Sequence, residues 1–166
     1  MSKRKLIVKK LKQKKYGKQL YKAFAALKKS MEMRKVAIFV LRDESGKILL
    51  QHKDAGAPRL ANYWAFFGGG IEKGETPEQA VKREAKEELQ IELKPTFFKK
   101  YTYERDELVK NRVELTMFTA PLEWSVEQLK KQQLEGDYLG LFTLEETKKL
   151  KIWERDRKVI EDLFTA

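Results

Sequence analysis

Gly69-Gly70-Ile71-Glu72-Lys73-Gly74-Glu75-Thr76-Pro77-Glu78-Gln79-Ala80-Val81-Lys82-Arg83-Glu84-Ala85-Lys86-Glu87-Glu88-Leu89-Gln90-Ile91 is the stretch that decides the fold. Its second part reads as a helix with a marked start. Thr76 suits the N-cap and Pro77 the first helical position, and Gln79 completes a Thr-x-x-Gln capping box. The helix is expected to run to about Leu89. At about 100° per residue, Glu84 and Glu88 fall one turn apart on one side, with Glu87 beside them. Val81, Ala85 and Leu89 form the neighbouring apolar stripe, so the carboxylates are expected to flank the buried face. Acids crowded on such a rim repel one another, and clustered hard oxygen donors are what Mg²⁺ or Mn²⁺ takes. Arg83 is placed to pair with Glu75 across the loop. Taken alone, Glu84, Glu87 and Glu88 would read as a solvated helix face; their combination with the glycine loop is what carries weight.

Working outward, Arg34 to Leu41 is a β-favouring apolar run, Asp43-Glu44-Ser45-Gly46 a turn, and Lys47 to Gln51 a second strand, which together predict a hairpin. Residues 53–62 read as a loop. Tyr63 to Phe67 reads as a short aromatic strand, with Gly68-Gly69-Gly70 breaking it. Strands are expected near 96–105 and 112–121, a helix near 125–134, a short apolar stretch at Tyr138–Phe142, and a last helix from about Leu144. Before all of this, Leu20, Phe24, Leu27 and Met31 recur at helical spacing. They predict an amphipathic helix whose apolar stripe is buried, preceded by a lysine-rich piece with poorer patterning.

The length of 166 residues suits one domain with a true core. There are no cysteines, which excludes a disulfide scaffold and a thiolate metal site. No apolar run approaches the roughly 20 residues of a membrane helix, and the first residues lack the pattern of a secretory signal. A cytoplasmic location without a membrane partner is the expectation. The net charge of +11 is unevenly spread. Residues 1–35 hold 14 Lys/Arg against one acid, Glu32, while the remainder sums to −2.

The quoted stretch resembles the Nudix box, Gly-x5-Glu-x7-Arg-Glu-U-x-Glu-Glu-x-Gly-U, where U is a bulky aliphatic. Gly69, Glu75, Arg83, Glu84, Glu87, Glu88 and Ile91 fall in register, and Trp64 and Phe67-Gly68-Gly69 resemble the usual approach to it. Two positions depart. Gln90 stands in place of the family glycine and must accept a left-handed backbone or end the helix differently. Ala85 is smaller than the usual aliphatic. The resemblance implies an α/β fold, a Nudix-type α/β/α sandwich with a mixed, curved β-sheet, here over residues 34–166 with an added basic helical segment at 1–33. It also implies metal-dependent hydrolysis of a diphosphate linkage in a nucleoside diphosphate-linked substrate. By the same resemblance Glu84, Glu87 and Glu88 would bind the metal, Mg²⁺ or alternatively Mn²⁺, with the Gly69 carbonyl assisting. Arg83 would orient Glu75, and Glu87 or a downstream glutamate, Glu135, would act as base. His52 and Lys53 stand where the family often has residues that touch phosphate, although packing is the commoner role for a histidine at a strand end. Phe67, with Phe66, Tyr101 and Tyr103, could stack a base, but aromatics on strands are core residues first.

The basic N-terminal segment would attract polyphosphate and nucleic acid. It keeps two further readings open beside hydrolysis of a small nucleotide. One is an RNA 5′-end pyrophosphohydrolase. The other is a non-catalytic nucleic-acid-binding or sensor domain, against which the complete glutamate set argues. Only two of the 14 cations are arginines, and a plain solubilising role is the simpler reading of the segment.

Overall fold

The computed structural model describes residues 17–31, 33–106 and 111–166, with the side chains of 26–31 and 105 excepted. The patterning expected before Tyr16 lies outside the described residues, as do the side chains of Leu27 and Met31. The chain divides into two compact units, residues 1–34 with 102–113 and residues 35–101 with 114–166. In the first, α1 (Gly17–Met31) forms where the apolar spacing predicts it. Its Leu20 and Phe24 are 53% and 64% exposed, so the expected burial of the stripe is not met at these two positions.

The second unit holds every site residue discussed below. β1 (Arg34–Arg42) and β2 (Ile48–His52) form the hairpin, in register Leu41↔Leu49. Its turn is closed by Asp43, whose Oδ1 accepts from the Lys47 amide at 2.8 Å and whose carbonyl accepts from the Gly46 amide at 3.0 Å. The aromatic stretch makes two short strands, β3 (Trp64–Ala65) and β4 (Phe67–Gly70). The three glycines therefore do not end the strand. Gly68, Gly69 and Gly70 pair with Ile38, Ala37 and Val36 of β1, and this long-range ladder overrides the local tendency of glycine to break. After α2 (Pro77–Leu89) come β5 (Thr96–Asp106), β6 (Asn111–Pro121), α3 (Val126–Gln132), β7 (Tyr138–Phe142), α4 (Leu144–Thr147) and α5 (Glu154–Thr165).

The strands form one sheet in the order β3-β2-β1-β6-β5, with β4 pairing β1 and β7 pairing β2. The β1–β2, β1–β4, β2–β3 and β2–β7 pairs are antiparallel. The C-terminal ends of β1 and β6 meet, where the Leu122 amide donates to the Arg42 carbonyl at 2.7 Å, as in a parallel pair. The sheet is thus mixed. Residues 37–41 of β1 are buried without alternation, so both faces of this strand are covered. Ala37, Phe39 and Leu41 join Val81, Ala85 and Leu89 of α2 in the main core. Val159, Ile160 and Leu163 of α5 are also buried, and Arg42 Nη1 donates to the Leu163 carbonyl at 3.2 Å. Helices on both sides of a mixed sheet make the expected α/β sandwich. Each large side chain so buried contributes about 1.5–3 kcal/mol.

Candidate active site

α2 begins as its sequence predicts. Thr76 Oγ1 accepts from the Gln79 amide and the Gln79 side chain accepts from the Thr76 amide, at 3.2 and 2.8 Å. The far end closes on Gln90, at φ 56° and ψ 37°, the left-handed position normally left to glycine. The Gln90 side chain then donates to the Gln132 carbonyl at 2.7 Å, and the Gln132 side chain donates to the Leu89 carbonyl at 2.8 Å. The Leu134 amide donates to the Glu88 carbonyl at 2.9 Å. The last carbonyls of α2 are thereby capped by the end of α3 and the segment that follows it, and that segment carries Glu135 toward Glu88.

Arg83 binds the glycine loop to the helix. Its Nε and Nη2 take both carboxylate oxygens of Glu75, at 2.9 and 3.2 Å, and Nη2 also donates to the Gly70 carbonyl at 3.1 Å. Nη1 bridges Glu84 at 2.8 Å and Glu87 at 2.9 Å. All five N–H donors of the guanidinium are engaged. The pairing raises the pKa of Arg83 and holds the Glu75 carboxyl below the usual carboxylate range. The Arg83–Glu75 pair expected from the spacing is present.

The helix carboxylates are not all on the rim. Glu88 is 2% exposed and belongs to the buried face, a correction of the expected flanking arrangement. What lets a carboxylate sit there is a set of donors. Glu88 Oε2 accepts from the Gly68 amide at 2.9 Å; Oε1 accepts from Gln51 Nε2 at 3.2 Å and Lys53 Nζ at 3.3 Å. Burial pushes the Glu88 carboxyl up to about 7, against the pull of the Lys53 ammonium and the Gly68 amide. Burial also raises Glu84, partly offset by its bond from Arg83. Lys53 Nζ reaches Glu135 Oε2 as well, at 3.3 Å. The structure thus gathers Glu75, Glu84 and Glu87 on Arg83, with Glu84 against Gly69, and Glu88 and Glu135 on Lys53.

One expected contact, Phe67, is buried away from any substrate. Phe67 is fully buried and stacked on Phe39 with ring centroids 5.3 Å apart, so its side chain has no surface to offer a substrate. Phe66 and Tyr101 are buried as well. His52 lies between the rings of Trp64 and Tyr138, with centroids at 5.3 and 5.8 Å. Its Nδ1 is 3.9 Å from Asp137 Oδ2, too far for a hydrogen bond. Gln51 and the Gly68 amide were not singled out by sequence reasoning. The available signal was a lone amide closing the apolar run Ile48-Leu49-Leu50-Gln51.

Do these residues fit a hard divalent cation? Among the described residues no three acids already converge on one point. Cationic groups stand between them instead, Arg83 Nη1 between Glu84 and Glu87 and Lys53 Nζ between Glu88 and Glu135. Each marks a place where paired carboxylates draw positive charge. Gly69 adds a spatial argument. A Cβ there would come within 2.6 Å of Glu84 Oε1, so the glycine lets that carboxylate lie close against the loop. Oxygen donors of this kind suit Mg²⁺ or Mn²⁺, and the set fits.

Comparison with known proteins agrees with the geometry. The family model described as NUDIX domain matches residues 31–163. An 8-oxo-dGTP diphosphatase of Escherichia coli (strain K12) is 34% identical over 115 residues, covering 69% of this chain and 85% of that protein. Among solved structures, the MutT protein from Methanosarcina mazei Go1 superposes with a TM-score of 0.69 at 20% identity, over 81% of this chain and 95% of that one. The MutT protein from Bacillus halodurans gives 0.60 at 26% identity, over 78% and 80%.

Proposed function

The chain belongs to the Nudix family and is a pyrophosphohydrolase acting on nucleotides, and from that premise we propose that it cleaves a nucleoside triphosphate to a nucleoside monophosphate and pyrophosphate. The observation that carries this reading is the network around Gly69, in which the glutamates are gathered and each is held by Arg83 or Lys53. Family members use divalent metals; for this chain we propose Mg²⁺, with Mn²⁺ as substitute, held by Glu84, Glu87, Glu88 and the Gly69 carbonyl. When bound there, such a metal would supply neutralisation of the diphosphate charge and of the charge growing on the leaving oxygen.

The chain's own groups do the rest. Arg83 keeps the 69–75 loop and Glu75 fixed against α2. Glu135 takes the proton of the water that attacks phosphorus, and Lys53, beside it, meets a substrate phosphate. The new bond is water oxygen to one phosphorus of the α–β linkage; the bond that breaks joins that phosphorus to the bridging oxygen, which leaves with the other half of the substrate, so that the products are the nucleoside monophosphate and pyrophosphate. Residues 34–166 are proposed as the hydrolase body and 1–33 as an added basic segment, acting on the cytoplasmic nucleotide pool. An oxidised guanine nucleotide, the substrate in the Escherichia coli relative's name, is the first to test.

The test is hydrolysis of 8-oxo-dGTP, dGTP and ADP-ribose with and without Mg²⁺, with products identified. Metal-dependent release of pyrophosphate from a triphosphate is expected. Glu84→Gln is expected to lower kcat by orders of magnitude at an unchanged or slightly raised Tm, since repulsion from Glu87 is relieved. Failure to turn over any triphosphate, or full activity in Glu84→Gln, would overturn the reading. A second reading, action on a triphosphate RNA end, is favoured by one observation: the excess of cations in residues 1–35 lies almost wholly outside the family match.

A further inference from the structure

We propose that Gln51 is a positioning residue, whose buried amide fixes the Glu88 carboxylate in the stance needed to hold the metal and lies against the turn that follows Glu135. The inference rests on the reading of Glu88 as a metal ligand.

β2 is buried from Ile48 to Gln51, and Gln51 is 0% exposed. An amide in that position is costly to bury unless it is bonded, and an aliphatic side chain like those at 48–50 would avoid the cost. The amide is only half satisfied. Nε2 donates to the Phe66 carbonyl and to Glu88 Oε1, both at 3.2 Å. These two acceptors fix which way the amide faces, because turned over it would set its oxygen against both. Oε1 then finds no donor among the described residues. It faces Gly136, where a Cβ would stand 3.3 Å from Gln51 Oε1 and 2.6 Å from the His52 carbonyl. Gly136 has φ 81°, so glycine is needed there on both counts. The Asp137 amide, next in the turn, donates to that same His52 carbonyl at 2.9 Å. The amide of Gln51 therefore sits between the Glu88 carboxylate on one side and the backbone turn following Glu135 on the other.

Three donors reach Glu88, and they differ in stiffness. The Gly68 amide is held by the β4–β1 ladder and Gln51 is packed in the core, whereas Lys53 is a long chain that also answers to Glu135. One stiff donor on each carboxylate oxygen sets the plane of the group; it leaves for a cation a lone pair on Oε2 and, on Oε1, the one that the movable Lys53 ammonium occupies. A cost in packing retained next to a ligand is the mark of a group that orients it.

The experiment compares Gln51→Met, Gln51→Leu and Glu88→Gln with the native chain. It reads the Kd for Mn²⁺ by calorimetry, the Tm without metal, and kcat and KM separately. Gln51→Met is expected to weaken Mn²⁺ binding and lower kcat by about 10–100-fold, with KM nearly unchanged and Tm equal or higher. A structural role alone would lower Tm and leave the Kd of the folded protein as it was. Unchanged Mn²⁺ affinity and kcat in a folded Gln51 variant would overturn the proposal, as would failure of both variants to fold. If Glu88→Gln itself binds Mn²⁺ normally, the ligand reading of Glu88 fails first and takes the proposal with it.

Discussion

Gln90 shows how a single residue can be legible in type and not in consequence. The box places a glycine there, so a glutamine predicts either a strained cap or a different helix end. The helix does end in the left-handed conformation, φ 56°, with the Ile91 amide donating to the Ala85 carbonyl at 3.3 Å. The strain is of order 1 kcal/mol for a non-glycine residue. What the sequence could not show is the bond from Gln90 to the Gln132 carbonyl, 42 residues away. An exposed hydrogen bond of this kind returns about 0.5–1 kcal/mol. The two effects nearly cancel, so Gln90→Gly is expected to shift stability by less than about 0.5 kcal/mol, while Gln90→Ala keeps the strain, loses the bond and costs about 1 kcal/mol. Urea unfolding of the three proteins checks this; an alanine variant as stable as the native chain would refute it. The same contrast explains the site. Glu75 and Arg83 were readable as partners because their spacing is local to one loop and one helix. Gln51 was not, because a lone amide in a strand acquires meaning only when α2 lays Glu88 over it.

Elements with chemical punctuation were the readable ones. Thr76, Pro77 and Gln79 mark the start of α2, and Asp43 to Gly46 mark the β1–β2 turn. The triple glycine misleads because its strand character comes from pairing with β1, not from propensity. The apolar pattern predicts one final helix from about Leu144; it is split into α4 and α5, the latter starting at Glu154. The attachment of α5 to β5 is another long-range fact. Asp162 Oδ2 accepts from Lys99 Nζ at 2.8 Å and from the Tyr101 hydroxyl at 2.9 Å, and these bonds hold its carboxyl below the usual range. Its folded pKa is depressed, so the stability it adds is present above the unfolded pKa of about 3.9 and is lost as pH falls through the lower folded value. The pair is partly exposed, so the contribution is no more than about 1 kcal/mol. Asp162→Asn is therefore expected to be slightly less stable than the native chain at pH 7, with the gap in Tm closing below about pH 4. A gap that is unchanged or wider in acid would show that the carboxylate is not what secures α5.

At the scale of the molecule the deciding fact is where the charge sits. Residues 1–35 carry +13 and the remainder −2. The family match covers residues 31–163, and within it Phe39, Phe67, Val81 and Leu89 are fully buried and share one core. Deleting residues 1–15 removes eight of the 14 cations and no residue of the Nudix box. Small-nucleotide hydrolysis by the truncated protein should therefore match the full chain. Single-stranded RNA should respond differently. For every phosphate that the shortened chain no longer neutralises, the dependence of log affinity on log salt flattens by about 0.7. The truncated chain should therefore bind a triphosphate RNA more weakly at low salt and converge with the full chain at high salt, where the Debye length shrinks to about 3 Å at 1 M. Affinities of both proteins for the same RNA across several salt concentrations measure the effect directly. Equal affinities and equal slopes would remove RNA as a partner of residues 1–15 and leave the small-nucleotide reading to stand alone.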